Sequence, residues 1–383
     1  MWFNKPKSYL GVDLGAGGVK LVELREEKKR PVLFTYGYTL QAQDVHQLLR
    51  SREKNVSDLV ESKDVTGVIK SDKPQEKILI DESKVGAYAN ALKAVCAQAK
   101  TTSKVAVGSL PVSAVFHAIV TMPVVKKEDF ERIVRAEVKK LLPYPLEDMV
   151  LDIQKLSDGL DGKSERVVVN AVPKGLVAFY SKVFKQAGLE LDSLEPESVA
   201  LARSLIGRDT ATTMLVDIGA ERTNFFIVDK AVPITHHSIE LGGQRIGKIL
   251  ENSWGLESNL VEQAKRDLFG SIISGTNTSV SREKFLELFN PIIDPIAKEI
   301  EYSLELYLRQ SQNEKKHPEK VILTGGGALF PYLSEYIADK FKLKCYIGDP
   351  LGRVVYQEGL KPILRSIAPR MSVAIGLALR NVV

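Results

Sequence analysis

The sequence predicts an α/β fold built from two similar halves, and three observations carry that reading. Val12-Asp13-Leu14-Gly15-Ala16 returns as Val216-Asp217-Ile218-Gly219-Ala220, and each copy leads into a β-rich run, KLVEL from Lys20 and NFFIV from Asn224. Strand-like and helix-like stretches alternate along most of the chain, as sheets covered by helices require. A third glycine cluster, Gly325-Gly326-Gly327, follows the apolar run Val321-Ile322-Leu323.

Each repeat reads as a strand, a tight glycine turn and a second strand pairing back on the first. The glycines leave bare backbone amides facing outward. Such amides, with Lys20 in one copy and Thr223 in the other, can hold phosphate oxygens. Two facing hairpins would make a phosphate clamp. The triple glycine after a buried strand suits close approach of a flat ligand or a phosphate. Each motif alone also fits a plain turn; their joint occurrence beside an internal repeat points to a nucleotide site.

Composition narrows the class. The 383 residues, 44% hydrophobic and 26% charged, supply an ample core and allow two or three domains. A net charge of +5 is mild at this length and points away from nucleic acid. Cys96 and Cys345 stand far apart, in no ligand spacing, and read as small buried hydrophobes in a reducing cytosol. MWFNKPKSY does not read as a secretory leader, and Trp2 and Phe3 beside Lys5 and Lys7 read as a packed or loose tail. Residues 105–125 are uncharged and long enough to cross a bilayer, yet Pro111, His117 and Pro123 interrupt them. Two strands broken at Leu110-Pro111 explain them better. His236 and His237 are strand neighbours pointing to opposite faces, so they cannot share a metal.

In chain order, residues 9–38 form the first hairpin and a third strand. Residues 41–77 are polar and read as an insertion. A helix over 83–99 precedes the strand Val105–Leu110. Residues 114–188 read as a βαββα unit inserted into the first half, with an amphipathic helix over 127–142 ending at Pro143. A strand and helix over 189–205 return to the first half, and 214–238 hold the second hairpin and its third strand. Helices are expected from Gly243, over 259–269 and over 282–310, the last broken near Pro291 and Pro295, with a loop over 271–279. A helix near Pro331 and a closing helix over 372–379 end the chain.

The three glycine motifs resemble the phosphate and adenosine motifs of the actin, sugar-kinase and heat-shock-chaperone superfamily. Within it LLPYPLEDMVLD from Leu141, VVNAVPKGLV, LEPESVALARSL, VDIGAERTNFFIV, IELGGQRIGK, ILTGGGALFPYL and APRMSVAIGLALR are similar to the PilM family of type IV pilus assembly proteins, relatives of FtsA. The resemblance covers nearly the whole chain. It implies an actin-like (ribonuclease H-like) duplicated fold with an inserted subdomain. Residues 1–113 and 189–211 would form the first half, 114–188 the insertion, 212–242 and 318–383 the second-half core, and 243–317 its small subdomain.

The resemblance implies ATP and Mg²⁺ as ligands. Asp13 and Asp217 would hold Mg²⁺, mainly through water. Gly15, Ala16, Gly17, Gly18 and Lys20 would face the β- and γ-phosphates, with Gly219, Ala220, Glu221, Arg222 and Thr223 opposite and Gly243 opening the next helix. Gly325, Gly326, Gly327 and Ala328 would line the adenosine, and Glu262 and Lys265 would reach the ribose and base. An i,i+3 surface ion pair fits those last two equally. Glu197 falls near the attacking water, or simply caps a helix after Pro196. Ala16 and Ala220 stand where the superfamily often has a hydroxyl. Glu221, offset by Arg222, puts a carboxylate beside the triphosphate; both departures argue for slow hydrolysis.

The function implied is a cytoplasmic ATP-binding adaptor, peripheral at the inner membrane, docking the N-terminal tail of a PilN-like membrane protein, with self-association a further expectation. Pro143, Tyr144 and Pro145 are candidates for the wall of the peptide groove, beside the reading that they merely pack the insertion. The alternatives are an active ATPase, a small-molecule kinase or an FtsA-like filament former. A kinase needs a carboxylate base near the acceptor hydroxyl, and no residue context in the sequence marks one.

Overall fold

The computed structural model describes residues 7–39, 80–156, 164–257, 260–273, 281–309 and 317–382. The tail with Trp2 and Phe3, the insertion at 41–77 and most of the loop expected over 271–279 lie outside them.

Two five-stranded sheets repeat one topology. In the first, β1 (Ser8–Gly15), β2 (Gly18–Glu27), β3 (Arg30–Tyr38), β4 (Val105–Leu110) and β8 (Glu190–Pro196) run in the order β3-β2-β1-β4-β8. In the second, β9 (Thr213–Ile218), β10 (Thr223–Asp229), β11 (Val232–Ile239), β12 (Lys320–Thr324) and β13 (Lys344–Ile347) run β11-β10-β9-β12-β13. Both begin as an antiparallel hairpin and continue through parallel neighbours. The sequence repeat is thus a structural one.

Period-two burial decides what covers each face. Leu10, Val12, Leu14, Val19 and Leu21 point to a core shared with α1 (Val85–Ala99). Gly11, Val22 and Leu24 face α10 (Lys361–Ala378) on the other side. A methyl added at Gly11 would strike the Ala374 carbonyl, and one at Gly376 would strike Ala200. The closing helix therefore lies on bare backbone on both sides. Residues 358–381 are long and apolar enough to span a membrane by composition, but 67% of their apolar window is buried here, as in a core helix.

The inserted sheet, β5 (Phe116–Pro123), β6 (Met149–Lys155) and β7 (Ser164–Pro173), is antiparallel in the order β5-β7-β6. Helix α2 (Lys127–Leu141) lays Val134 and Val138 on Val120, Met122, Val167 and Val169. The following helix, α3 (Lys174–Gln186), differs from the sequence reading. Its Leu176, Phe179, Tyr180, Val183 and Phe184 join Tyr88 and Leu92 in the core of the first sheet. The apolar stripe of α3 was legible, but the partner it would choose was not.

The inserted sheet also meets the second half. The ring of His117 bonds Asn170 Oδ1 through Nδ1 at 2.9 Å and the Ile234 carbonyl on β11 through Nε2 at 3.2 Å. It lies 5.1 Å from the ring of His236, whose pKa falls to about 3 because it is buried beside His117 and His237. His237 points the other way, onto Glu299, as strand geometry requires.

Other elements follow the expected order: α4 (Glu197–Leu201), α5 (Gly243–Trp254), α6 (Val261–Ile273), α7 (Arg282–Leu288), α8 (Asn290–Arg309) and α9 (Leu333–Phe341). Three differences stand out. The break between α7 and α8 falls at Phe289, while Pro291 sits in the first turn of α8 and Pro295 inside it. Proline is tolerated in a first turn, where no intrahelical N–H bond is lost. Helix α6 takes in residues 271–273, expected as loop. Helix α10 begins at Lys361 rather than near 372, running through Pro369.

Candidate functional site

The site forms where the repeated hairpins end. Asp13 is 4% exposed and is the register partner of Lys20. Its Oδ2 accepts from Lys20 Nζ at 2.9 Å and its Oδ1 from Ser109 Oγ at 2.9 Å. Asp217 occupies the equivalent place in the second half, where its partner Asn224 donates from Nδ2 at 3.4 Å.

Glu197 opens α4 directly after Pro196, and its Oε2 accepts the Val112 amide at 3.3 Å. Burial, then the charges of Asp13 and Asp217, drive its carboxyl well above the usual range. Burial and Asp13 raise the Asp217 carboxyl to about 6. These couplings bring Asp13, Asp217 and Glu197 together on one cleft floor. Among the described residues no three His, Cys, Asp or Glu side chains form a group that could hold a metal by themselves. The arrangement still fits a hydrated Mg²⁺, which needs one or two carboxylates and keeps several waters. A divalent cation would relieve the like-charge crowding that perturbs Asp217 and Glu197.

The glycine turns meet above this floor. A methyl added at Gly17 would lie 3.0 Å from the Ala220 side chain, so the phosphate-type turns of the two halves face each other. Gly18 closes the first turn at φ +112°, in the region that favours glycine. The Gly219 amide bonds the Arg222 carbonyl at 2.9 Å and closes the second. The third turn packs edge-on against β9. Gly325 has φ +84°, and a side chain there would strike Asp217 and the Ile218 carbonyl.

Several expected residues have other occupations. Thr223 is fully buried and its hydroxyl donates to the Leu241 carbonyl at 2.6 Å. Arg222 pairs with Glu240 at 2.6 Å. The Gly243 and Gln244 amides, the first of α5, donate to the Gly219 and Ala220 carbonyls at 2.8 and 2.9 Å. Ala328 points into the second core, whereas Gly326 beside it is exposed. Lys265 forms an ion pair with Glu262, and its Nζ lies 3.5 Å from the Gly243 carbonyl, so α6 does reach the edge of the cleft. Pro143, Tyr144 and Pro145 lie in the inserted unit, with Tyr144 packed on that unit's own core.

Ser109 was missed because it matters only through the parallel pairing of β1 with β4. Tyr180 was missed because α3 was assigned elsewhere. Its fully buried hydroxyl has no hydrogen-bond partner among the described residues, and its pKa is raised by burial, then by Glu197, Tyr88 and Asp13.

Two sheets of one strand order, with facing aspartate-glycine turns between them, define an actin-like protein. The chain belongs to the family of the type IV pilus assembly protein PilM, whose model matches residues 65–382. It is 22% identical over 281 residues to the cell division protein FtsA of Borreliella burgdorferi, a match covering 67% of each chain. The PilM-PilN type IV pilus biogenesis complex superposes with a TM-score of 0.74 at 22% identity, over 99% of this chain and 100% of that one. The ethanolamine utilization protein EutJ from Carboxydothermus hydrogenoformans follows at a TM-score of 0.51 and 15% identity, over 98% and 91%.

Proposed function

We propose that this protein is a nucleotide-binding adaptor of type IV pilus assembly, holding Mg-ATP between its halves and docking the cytoplasmic N-terminal tail of a PilN-like inner-membrane protein. The observation that carries the nucleotide part is the meeting of the Gly17 and Ala220 turns over Asp13, Asp217 and Glu197. Asp13 and Asp217 hold the cation, mainly through its water. Bound there, Mg²⁺ neutralises phosphate charge that the cleft carboxylates would otherwise repel. Lys20 and the amides of residues 15–18 face one side of the triphosphate, and the turn at residues 219–221 faces the other.

Glu197 argues for binding over turnover. A general base must be ionised at working pH, and burial, then the charges of Asp13 and Asp217, push this carboxyl well above its usual range, which works against that form. For the partner, the supporting observations are membership of the PilM family and the likeness over the full chain to a PilM that is bound to PilN. Such a protein works in the cytoplasm and is peripheral to the membrane through its partner.

Calorimetry of the full chain with Mg-ATP, followed by titration of a PilN N-terminal peptide, tests both parts. Saturable 1:1 binding of each ligand is expected. ATP heat that is absent with Mg²⁺, or a peptide that binds no better than a scrambled one, overturns the corresponding half of the proposal.

A further inference from the structure

Among the described residues, no carboxylate pairs with Arg370. It lies on α10 directly after Pro369, whose carbonyl accepts the Gly325 amide at 3.0 Å and the Thr324 hydroxyl at 3.2 Å. The third glycine turn is thereby fixed to the helix one residue before the guanidinium. A methyl added at Gly326 would sit 3.4 Å from Arg370 Nε and 3.7 Å from Nη2, so the guanidinium lies against this bare, exposed α-carbon. On its other side the guanidinium carbon is 5.8 Å from the centre of the Tyr38 ring. Among the described residues Arg370 makes no hydrogen bond and no ion pair.

Tyr38 belongs to the opposite half. It is the register partner of Lys20, which is in turn the partner of Asp13, so all three side chains share the face that carries the cleft. Arg370 therefore spans the two lips: the first sheet's last cleft residue on one side and the second sheet's glycine turn on the other. Its surroundings are unlike those of the phosphate turns. They offer an aromatic ring and a glycine with no side chain, which admit something flat. A guanidinium plane stacks on flat rings and is weakly hydrated, so it can do so without a carboxylate beside it.

We propose that Arg370 contacts the purine base of the bound nucleotide, its guanidinium stacked on the ring beside the exposed Gly326, so that this one side chain joins base recognition to both halves. The inference rests on the nucleotide reading above and adds to it a residue that the motifs did not mark. It separates the ligand into two ends. The triphosphate answers to Asp13, Lys20 and the facing turns, while the base answers to Arg370.

The test compares Mg-ATP with Mg-tripolyphosphate, which lacks the nucleoside, on the full-length parent, Arg370→Ala and Arg370→Lys by calorimetry. Arg370→Ala should weaken ATP about tenfold and leave tripolyphosphate unchanged; Arg370→Lys should recover little, since an ammonium does not stack as a plane. Thermal melting of the unliganded variants should stay close to the parent's, because among the described residues the side chain loses no hydrogen bond or ion pair, only its long contact with the Tyr38 ring. If the parent binds ATP and Arg370→Ala binds it equally, Arg370 does not contact the base. Equal weakening of ATP and tripolyphosphate assigns it to the phosphates and overturns the stacking assignment. If the parent binds no ATP at all, the nucleotide reading itself fails, which is a separate outcome.

Discussion

Lys20 holds its ammonium 2.9 Å from Asp13 Oδ2, across a single register pair of the β1–β2 hairpin. The residue best placed to meet a phosphate thus also neutralises the carboxylate best placed to meet a metal. If the proposed Mg-ATP binds here, metal and phosphate would replace each member of this pair with a stronger partner, so the cleft would stay balanced in both states.

The two single variants should therefore differ. Asp13→Ala removes the metal contact and frees Lys20, so ATP affinity should fall and lose its dependence on Mg²⁺. Lys20→Ala leaves Asp13 buried without its cation. Affinity should drop at least tenfold, as expected for one charge-assisted hydrogen bond, while Mg²⁺ dependence remains. Calorimetry with and without Mg²⁺ reads both effects, and unchanged affinity in both variants would remove the clamp assignment.

Turnover should be slow. Burial, then Asp13 and Asp217, push the Glu197 carboxyl well above its usual range, and its Oε2 is engaged by the Val112 amide. Phosphate release below about 10 per second, the median for enzymes, is the expected outcome. Glu197→Gln should change it little, because burial and the neighbouring carboxylates disfavour the ionised form of Glu197. A rate above that figure that collapses in Glu197→Gln would show an ionised base and contradict this account.

Much of this cleft was legible because its parts are local. The aspartate-glycine turns, their repeat and the Asp13–Lys20 spacing sit within single hairpins, where strand period and glycine φ fix the geometry. What could not be read depends on long-range choices. Helix α3 has an apolar stripe that fits two sheets equally, and only the folded chain shows it beside Tyr88 rather than on the inserted sheet. Thr223 keeps the right spacing from Gly219, but its hydroxyl goes to Leu241, a backbone group brought there by the β10–β11 hairpin. The closing helix was expected only over 372–379, yet α10 begins at Lys361 and runs through Pro369, whose carbonyl is taken by the third glycine turn.

Metal affinity should depend on pH with a sign set by Asp217. Its carboxyl sits at about 6 in the folded protein against an ordinary 3.8. Folding thus favours the protonated form. The stability this adds to the metal-free protein is full below pH 3.8 and is lost as pH rises through about 6. Mg²⁺ needs the ionised form, so its binding gains across the same interval. Buried His236, pushed down to about 3, acts oppositely on overall stability, which falls for that group as pH drops from its ordinary 6.5 toward 3. The clean readout is the difference in melting temperature with and without Mg-ATP. It should be larger at pH 8 than at pH 5, and Asp217→Asn should flatten it. An equal shift at both pH values would place the metal elsewhere.

The partner site is the remaining prediction, and the packing sharpens it. The inserted sheet joins the first half through two short connections, residues 111–115 leading into β5 and the Pro173–Lys174 step leading from β7 into α3. Because α3 rides on the first sheet, the proposed docking crevice would lie between that helix's side of the first half and the inserted unit. Crevices between subdomains are common places to capture an extended peptide. At the end of α2, Leu141 is 52% exposed, directly before the Pro143-Tyr144-Pro145 turn. Tyr144 itself packs on the inserted core. Its loss should therefore lower stability, while Leu141 can be changed without a cavity. Leu141→Asp should weaken a PilN-tail peptide at least tenfold, as expected for an apolar contact turned into a desolvated charge, with Mg-ATP affinity and melting temperature near the parent's. Tyr144→Ala should lower the melting temperature as well as peptide binding. A crosslinkable peptide should mark the inserted unit and the first half. Peptide marks confined to residues beyond Met214, or full affinity in Leu141→Asp, would move the docking site away from this junction.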